Sequence, residues 1–352
     1  MDKTRILEAY ERIGGAKNKV VGGDFATNPF QEGETFVSPG SGVYVADQWQ
    51  YGTSGAGAVT ISRVAGESDG RKALRIEVTT ADASLAASDL YIIQQRIVGF
   101  SIIPLLDGAA ISFRVRSNIT GLLAVSLKNA GADRSFVSMI DILVANQWQD
   151  AIIIVPDFDN TGTWDYEDGL GLTLGILMAT GSDRETSVLD SWETGNFVSH
   201  STSVNRMAAN TNFIEFDQSQ LEVGNIATDF ENLDRDDVVE ACQYFFAKTF
   251  DIDVVPAEGV NNYNGAITSV SHLTFSGTSF IADWKYPVTM RTNPSIITFG
   301  PGTVTNEFWR NIGNTTSYTR AIGSIGDSMV RLQGSHAADG TVAIHVTANA
   351  RL

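Results

Sequence analysis

Three groups of residues in this chain have types and spacings suited to chemistry. The first is Asp157-Phe158-Asp159-Asn160-Thr161-Gly162 with Asp168 further on, an oxygen-rich run that approximates a calcium loop. Its fifth position is Thr and its last ligand would be Asp, where a calcium loop of this kind uses a bidentate Glu, and no helices are expected to flank it. It reads as an acidic turn between strands. The four histidines, His200, His272, His336 and His345, show neither HxH nor HExxH spacing, so no zinc set is expected. The second group is the acids: Asp165, Glu167 and Asp168, then Asp183 and Glu185, then Asp190 and Glu193. Glycoside hydrolysis needs two carboxylates about 5–10 Å apart across a groove. A chain with 41 acidic residues offers such clusters as ordinary solvated loop charge. There is no GxSxG elbow and no GxxxxGK[ST] phosphate loop. No catalytic residue, metal or cofactor is expected.

The third group is aromatic. Sugars lay their C–H faces on exposed rings while amides and carboxylates bond the hydroxyls. Trp164 and Tyr166 sit in an acidic, loop-like stretch, and Trp309 and Tyr318 in the polar segment 303–320. These four are the candidate glycan contacts, and contact with a neighbouring subunit is the competing use of the same rings. Trp192 and Trp284 stay open between core and surface. The single cysteine, Cys242, permits no disulfide within the chain and no cysteine metal site; beside an apolar face it reads as a buried structural thiol.

The elements that must position these residues are strands. With 352 residues, 43% hydrophobic, 33 Gly and 18% charged, the chain suits two domains rich in turns. In Leu74, Ile76 and Val78, in Ile111, Phe113 and Val115, and in Leu123, Val125 and Leu127, every second side chain is apolar, the period of a sheet with one wet face. Strands are predicted over 58–64, 73–79, 90–97, 109–116, 122–129, 150–155, 170–179 and 212–221. Asp-Gly and Asn-x-Gly punctuation separates them, and their number suggests a jelly roll. A short helical turn is predicted over 234–242, with acids at its N-terminus where the helix dipole favours them. A second strand set is predicted over 244–250, 266–270, 272–275, 279–284, 295–299, 328–332 and 341–347. At the other end, Ile6, Leu7, Tyr10 and Ile13 share one face of a helix over 4–13 that Gly14-Gly15 closes. About ten residues do not hold a helix alone in water, so that stripe must dock on something. The expected fold is all-β: an N-terminal helical anchor over 1–19, a jelly-roll β-sandwich over 20–233, and a second, small β-sandwich over 234–352.

Twenty-four basic against 41 acidic residues give a net charge of −17. Such a surface repels phosphate backbones and anionic bilayers, so no nucleic-acid partner is expected. No apolar run approaches the roughly 18 residues a membrane span needs, and no secretory leader follows Met1.

Several strings, in order, resemble a family of bacteriophage tail-fibre and virion appendage proteins that carry a carbohydrate-binding-module-like jelly roll and a small C-terminal β-domain. They are Val20-Val21-Gly22-Gly23-Asp24-Phe25, Ala46-Asp47-Gln48-Trp49, Gln94-Gln95-Arg96-Ile97 and Ile111 to Ser117. Gln147-Trp148-Gln149, Gln220 to Gly224 with Ala227 to Glu231, Glu240 to Phe245 and Val288 to Pro294 continue the series. Gln48, Arg114 and Phe245 depart from the family's usual residues, which touches local packing and not architecture. The resemblance covers about residues 20 to 295. It implies that Trp49 and Trp148 pack the sandwich core. It also implies a homotrimeric virion protein, assembled in the host bacterial cytoplasm, joined to other virion proteins through its N-terminus and binding host-surface glycan. A purely structural head or tail decoration is the alternative reading, and a glycan-degrading tailspike a more distant one.

Overall fold

The computed structural model describes residues 17–260, 263–271, 278–301, 309–313, 317–318, 320–336 and 340–352. The anchor residues Ile6, Leu7, Tyr10 and Ile13 and the strand predicted over 272–275 lie outside them. The chain divides into two compact units. Unit 1 takes residues up to Asn28, Glu34–Val238 and Leu352; unit 2 takes Pro29–Gly33 and Val239–Arg351.

In chain order, unit 1 contains β1 (Thr35–Val37), β2 (Val43–Ala46), β3 (Trp49–Thr53), β4 (Ala58–Ala65), β5 (Lys72–Thr80) and β6 (Leu90–Val98). A single helical turn, α1 (Gly99–Ile102), leads to β7 (Ala109–Ser117), β8 (Gly121–Asn129), β9 (Arg134–Ile142), β10 (Gln149–Val155) and β11 (Leu170–Thr180). The short β12 (Glu185–Thr186), β13 (Trp192–Thr194) and β14 (Ser199–His200) precede the long β15 (Phe213–Val223). A six-stranded sheet runs β1-β4-β5-β15-β7-β10 and a seven-stranded sheet β13-β9-β8-β11-β6-β3-β2, with antiparallel neighbours throughout. This is the two-sheet jelly-roll sandwich that the alternation predicts. Leu74, Ile76, Val78, Ile111, Phe113, Val115, Leu123, Val125 and Leu127 are all buried.

The strings that carry the family resemblance have structural work in unit 1. Phe25, Trp49 and Phe216 form an aromatic core with ring centroids 5.2–5.8 Å apart. The Trp49 indole N–H donates to Gly22 O, and Gln95 exchanges two hydrogen bonds with the Val21 backbone. Gly23 lies so close to β15 that a Cβ there would stand 2.1 Å from Ser219 O. The Gln220 to Glu231 string is a clasp. Thr228 donates its N–H and hydroxyl to the two Glu222 oxygens, and Glu231 N–H donates to Gln220 Oε1. The Glu231 carboxylate in turn accepts from Lys17 N–H and Asn18 N–H. Residues 17–19, assigned to the anchor from the sequence, are thereby bonded into the sandwich, with Lys19 N–H also donating to Leu221 O.

Helix α2 (Arg235–Gln243) follows, with Asp236 and Asp237 in its first turn and Cys242 buried and in no disulfide. Unit 2 then contains β16 (Phe246–Lys248), β17 (Ile267–Ser271), β18 (Thr278–Lys285), β19 (Ser295–Phe299), β20 (Trp309–Asn311), β21 (Ser317–Tyr318), β22 (Arg320–Ile325), β23 (Met329–His336) and β24 (Gly340–Asn349). One sheet is built around β24, which pairs with β16, β17, β19 and β20; β18, β23 and β22 form the other. Phe280, Val330 and Leu332 meet Trp309, Val342, Ile344 and Val346 in one core. The strand predicted over 244–250 contracts to β16. There the Lys248 ammonium donates to the carbonyls of Gln31, Ile252 and Val254, a demand that local alternation does not reveal.

Candidate functional site

Trp164 and Tyr166 end an aromatic ladder that starts in the core of unit 1. Phe136 on β9 is fully buried and faces Trp192 on β13 at 5.9 Å between centroids. Trp192 contacts Phe158 at 4.8 Å and Trp164 at 5.5 Å. Trp164 lies nearly parallel to Tyr166, with planes 13° apart and centroids at 6.4 Å. Tyr166 is 39% exposed. Trp192, open on sequence grounds, is therefore the half-buried link between core and surface.

The loop that presents the pair is held by its own polar groups. The Trp164 indole N–H donates to Thr161 O. Arg134 reaches Asp159 at 2.9 Å and bonds the hydroxyls of Thr161 and Thr194. Asp133 accepts from the Asn129 amide and from the Thr163 N–H and hydroxyl, which together hold its carboxyl down at about 2. Asp159 is lowered for a related reason, the Thr161 hydroxyl and N–H. Within the calcium-like stretch, Asp159 thus spends its acceptors on Thr161 and Arg134. Among the described residues no group of three His, Cys, Asp or Glu side chains converges to hold a metal ion.

Two aromatic assignments need correction. Trp309 is 0% exposed: it packs against Phe280 at 4.9 Å and donates its indole N–H to Gln333 O, so its ring is not offered to a sugar. Its polar sequence neighbourhood hides this, because β20 is a three-residue strand entering the core of unit 2. Tyr318, paired with Trp309 across β20 and β21, is half-buried against the same core. Conversely Trp148 is not a core residue. It is half-buried just before β10, with the Arg116 guanidinium 5.2 Å from its ring. Trp49 is in the core as expected, and Trp284 is half-buried against the core of unit 2, 5.1 Å from Tyr286.

The two outer faces of the sandwich differ in electrostatics. On the six-stranded sheet, basic residues are matched: Glu215, 1% exposed, takes Arg75 at 2.6 Å and Arg116 at 2.5 Å, and Arg114 meets Glu67 and Asp150. On the seven-stranded sheet, cross-strand pairing sets Ser135, Lys128, Thr173 and Arg96 side by side on β9, β8, β11 and β6. These are outward positions, since Phe136, Leu127, Leu172, Leu174 and Ile97 beside them fill the core. One step along, Ser126, Gly175, Gln94, Gln50 and Tyr44 form a second outward row. A Cβ at Gly175 would stand 2.6 Å from the Ile92 side chain and 2.9 Å from Ser126 Oγ, so glycine keeps that floor low. Further along, Ile92, Ala124 and Leu177 form a small apolar cluster with Val198. Sequence alternation places Lys128 and Arg96 outward, but only the strand order makes them neighbours.

No family model matches this chain, and no curated protein matches it. Solved structures do resemble it. A family 11 carbohydrate-binding module from Clostridium thermocellum, in complex with a β-1,3-1,4-mixed-linked tetrasaccharide, has a TM-score of 0.30 at 10% identity, covering 56% of this chain and 99% of that one. A putative sugar-binding protein from Bacteroides thetaiotaomicron gives 0.34 at 11%, covering 59% and 100%. The family 22 module and catalytic module of a Clostridium thermocellum xylanase, complexed with xylohexaose, give 0.28 at 15%, covering 58% of this chain and 30% of that one. Carbohydrate-binding modules therefore figure among its structural neighbours, at scores that leave the function to be argued from the side chains of this chain.

Proposed function

We propose that this chain is a non-catalytic glycan-binding protein, borne on the virion of a tailed phage as a trimer. The observation that carries the glycan reading is the Trp164–Tyr166 pair. The partly exposed Tyr166 ring, stacked on Trp164 and anchored through it to the core, offers an apolar face that suits the C–H face of a pyranose. The acids that would have to converge for hydrolysis are engaged separately. Asp165 accepts from Glu167 N–H, and Glu193 accepts from the Thr186 hydroxyl.

The virion and trimer parts rest on the resemblance of the sequence strings. Support for self-association comes from β10, an edge strand of the six-stranded sheet whose outward Ile152 is 59% exposed, near exposed Leu143 and Val144. An open apolar edge favours a further chain. Three copies would multiply a weak single-site affinity.

The test is retention of the full chain on capsular and lipopolysaccharide preparations from a panel of bacteria, with Tyr166→Ala as control. Retention lost in the variant supports the reading. Equal retention of both, or none on any preparation, overturns it in favour of a purely structural virion role. Mass measurement in solution tests the trimer separately, and a monomer at all concentrations removes that part.

A further inference from the structure

The outward row on the seven-stranded sheet holds half-buried cations that no Asp or Glu side chain meets, whereas six arginines of unit 1 do meet one. Arg63, Arg71, Arg75, Arg114, Arg116 and Arg134 each face a carboxylate. Arg206, buried without one, donates to the carbonyls of Gly121, Leu122 and Val204. Lys128 and Arg184 make no ion pair among the described residues; the Lys128 ammonium donates only to the Asn196 amide oxygen, at 3.1 Å. Arg96 donates one N–H to the main-chain oxygen of Leu352, which belongs to the same unit, and its buried Nε has no partner.

Arg184 O accepts the Val198 N–H, two residues from the Asn196 that takes Lys128, which brings the Arg184 segment beside Lys128. Burial lowers the Lys128 ammonium to about 8, and the Arg184 and Arg96 charges add to that effect. Like charges held together in a half-buried position oppose folding unless something offsets them. No Asp or Glu side chain among the described residues pairs with Lys128 or Arg184, and Arg96 is met only by the Leu352 oxygen. The immediate surroundings are neutral and hydrogen-bonding. Thr173 stands between Lys128 and Arg96, with neighbouring strands about 4.8 Å apart. Gln94 donates to Gln50 Oε1 and keeps its own amide oxygen open, beside the low floor at Gly175. Glu193, one strand beyond Ser135, is the acid nearest in the row, and its carboxylate is bonded to Thr186.

We propose that Lys128, Arg96 and Arg184 form a subsite for an anionic sugar unit, with Thr173 and Gln94 bonding its hydroxyls. This rests on the glycan reading and names the class of glycan: one carrying a carboxylate or a phosphate on the ring. The net charge of the chain does not forbid it, because in physiological salt a surface charge more than about 8 Å away is largely screened.

The test is a saturation-transfer NMR titration of the full chain with D-glucuronate, glucose 6-phosphate and D-glucose. At least one acidic sugar should bind about tenfold or more tightly than glucose, as expected for a hydrogen bond to a charged group. Lys128→Met and Arg184→Met should each lose about that factor, and added salt should weaken the wild type. Preference for glucuronate identifies a carboxylate, and preference for glucose 6-phosphate a phosphate. Arg184, half-exposed in a short turn, is the variant that stays informative if Lys128→Met is poorly folded by circular dichroism. Equal affinity for all three sugars, no binding of either acid, or variants that bind like wild type would overturn the proposal. Anion binding lost in Lys128→Met with no retention on any bacterial glycan sinks the glycan reading alone; retention through Tyr166 without anion binding sinks the subsite alone.

Discussion

Arg116 and Glu215 face each other across the β7–β15 pair, Nη2 2.5 Å from Oε2, with the carboxylate shut away from solvent. Arg75 approaches the other oxygen of the same carboxylate, and its guanidinium lies 3.8 Å from the Phe213 ring centre. Removing a buried partner strands the charges that remain. Glu215→Ala is expected to destabilise unit 1 by about 3 kcal/mol or more, read as a lower urea midpoint with an unchanged slope. A loss below about 1 kcal/mol would mean that the two arginines find water instead.

The aromatic ladder predicts a separation of stability from binding. Tyr166 is its outer rung, so Tyr166→Ala should leave the melting temperature within a few degrees of wild type while abolishing glycan retention. Phe136→Ala, at the inner rung, should cost about 3–5 kcal/mol. Comparable melting losses in the two variants would show that the Tyr166 ring is part of the core.

Asp217 on β15 sets a pH dependence. Burial raises its carboxyl to about 7, with Asp24 adding to the shift and Arg71 opposing it. The folded form therefore holds a proton that the unfolded chain releases near 4. Stability from this group is complete below about pH 4 and is lost as pH rises toward about 7. Asp217→Asn should flatten that limb, so thermal melts at pH 5 and pH 8 should differ less in the variant than in wild type. An unchanged difference would place the limb in another group.

Trp309 is the large aromatic in the core of unit 2. Trp309→Ala is expected to cost about 3–5 kcal/mol and to leave retention through Tyr166 intact. Differential scanning calorimetry gives the stability half of that expectation, and loss of retention without unfolding would return Trp309 to the list of sugar contacts.

Long elements were legible in the sequence where one face is buried and the other wet. β5, β7 and β8 follow from Leu74, Ile111 and Leu123 and their alternating partners within one or two residues of the observed ends. β9 escaped because Ser138 puts a hydroxyl on the inward face while Val137 and Met139 put apolar side chains on the outward one. β2, β3 and β20 escaped because they are short. For the site, the Trp164–Tyr166 pair was legible as aromatic residues in an acidic loop. The Lys128–Thr173–Arg96 row was not, because it joins strands 32 or more positions apart from Arg96 to Lys128 and again from Lys128 to Thr173 through a pairing order that no local pattern encodes.

The pentapeptide Pro29–Gly33 belongs to unit 2 although it is flanked on both sides by unit 1. Gln31 O takes the Lys248 ammonium, and Glu32 pairs with Arg351. Synthesis from the N-terminus therefore exposes these five residues long before the strands they serve have left the ribosome. An expression fragment starting at Val239 would lack the Gln31 carbonyl that takes Lys248 and the Glu32 carboxylate that pairs with Arg351. No single cut in the chain separates the residues of one unit from those of the other.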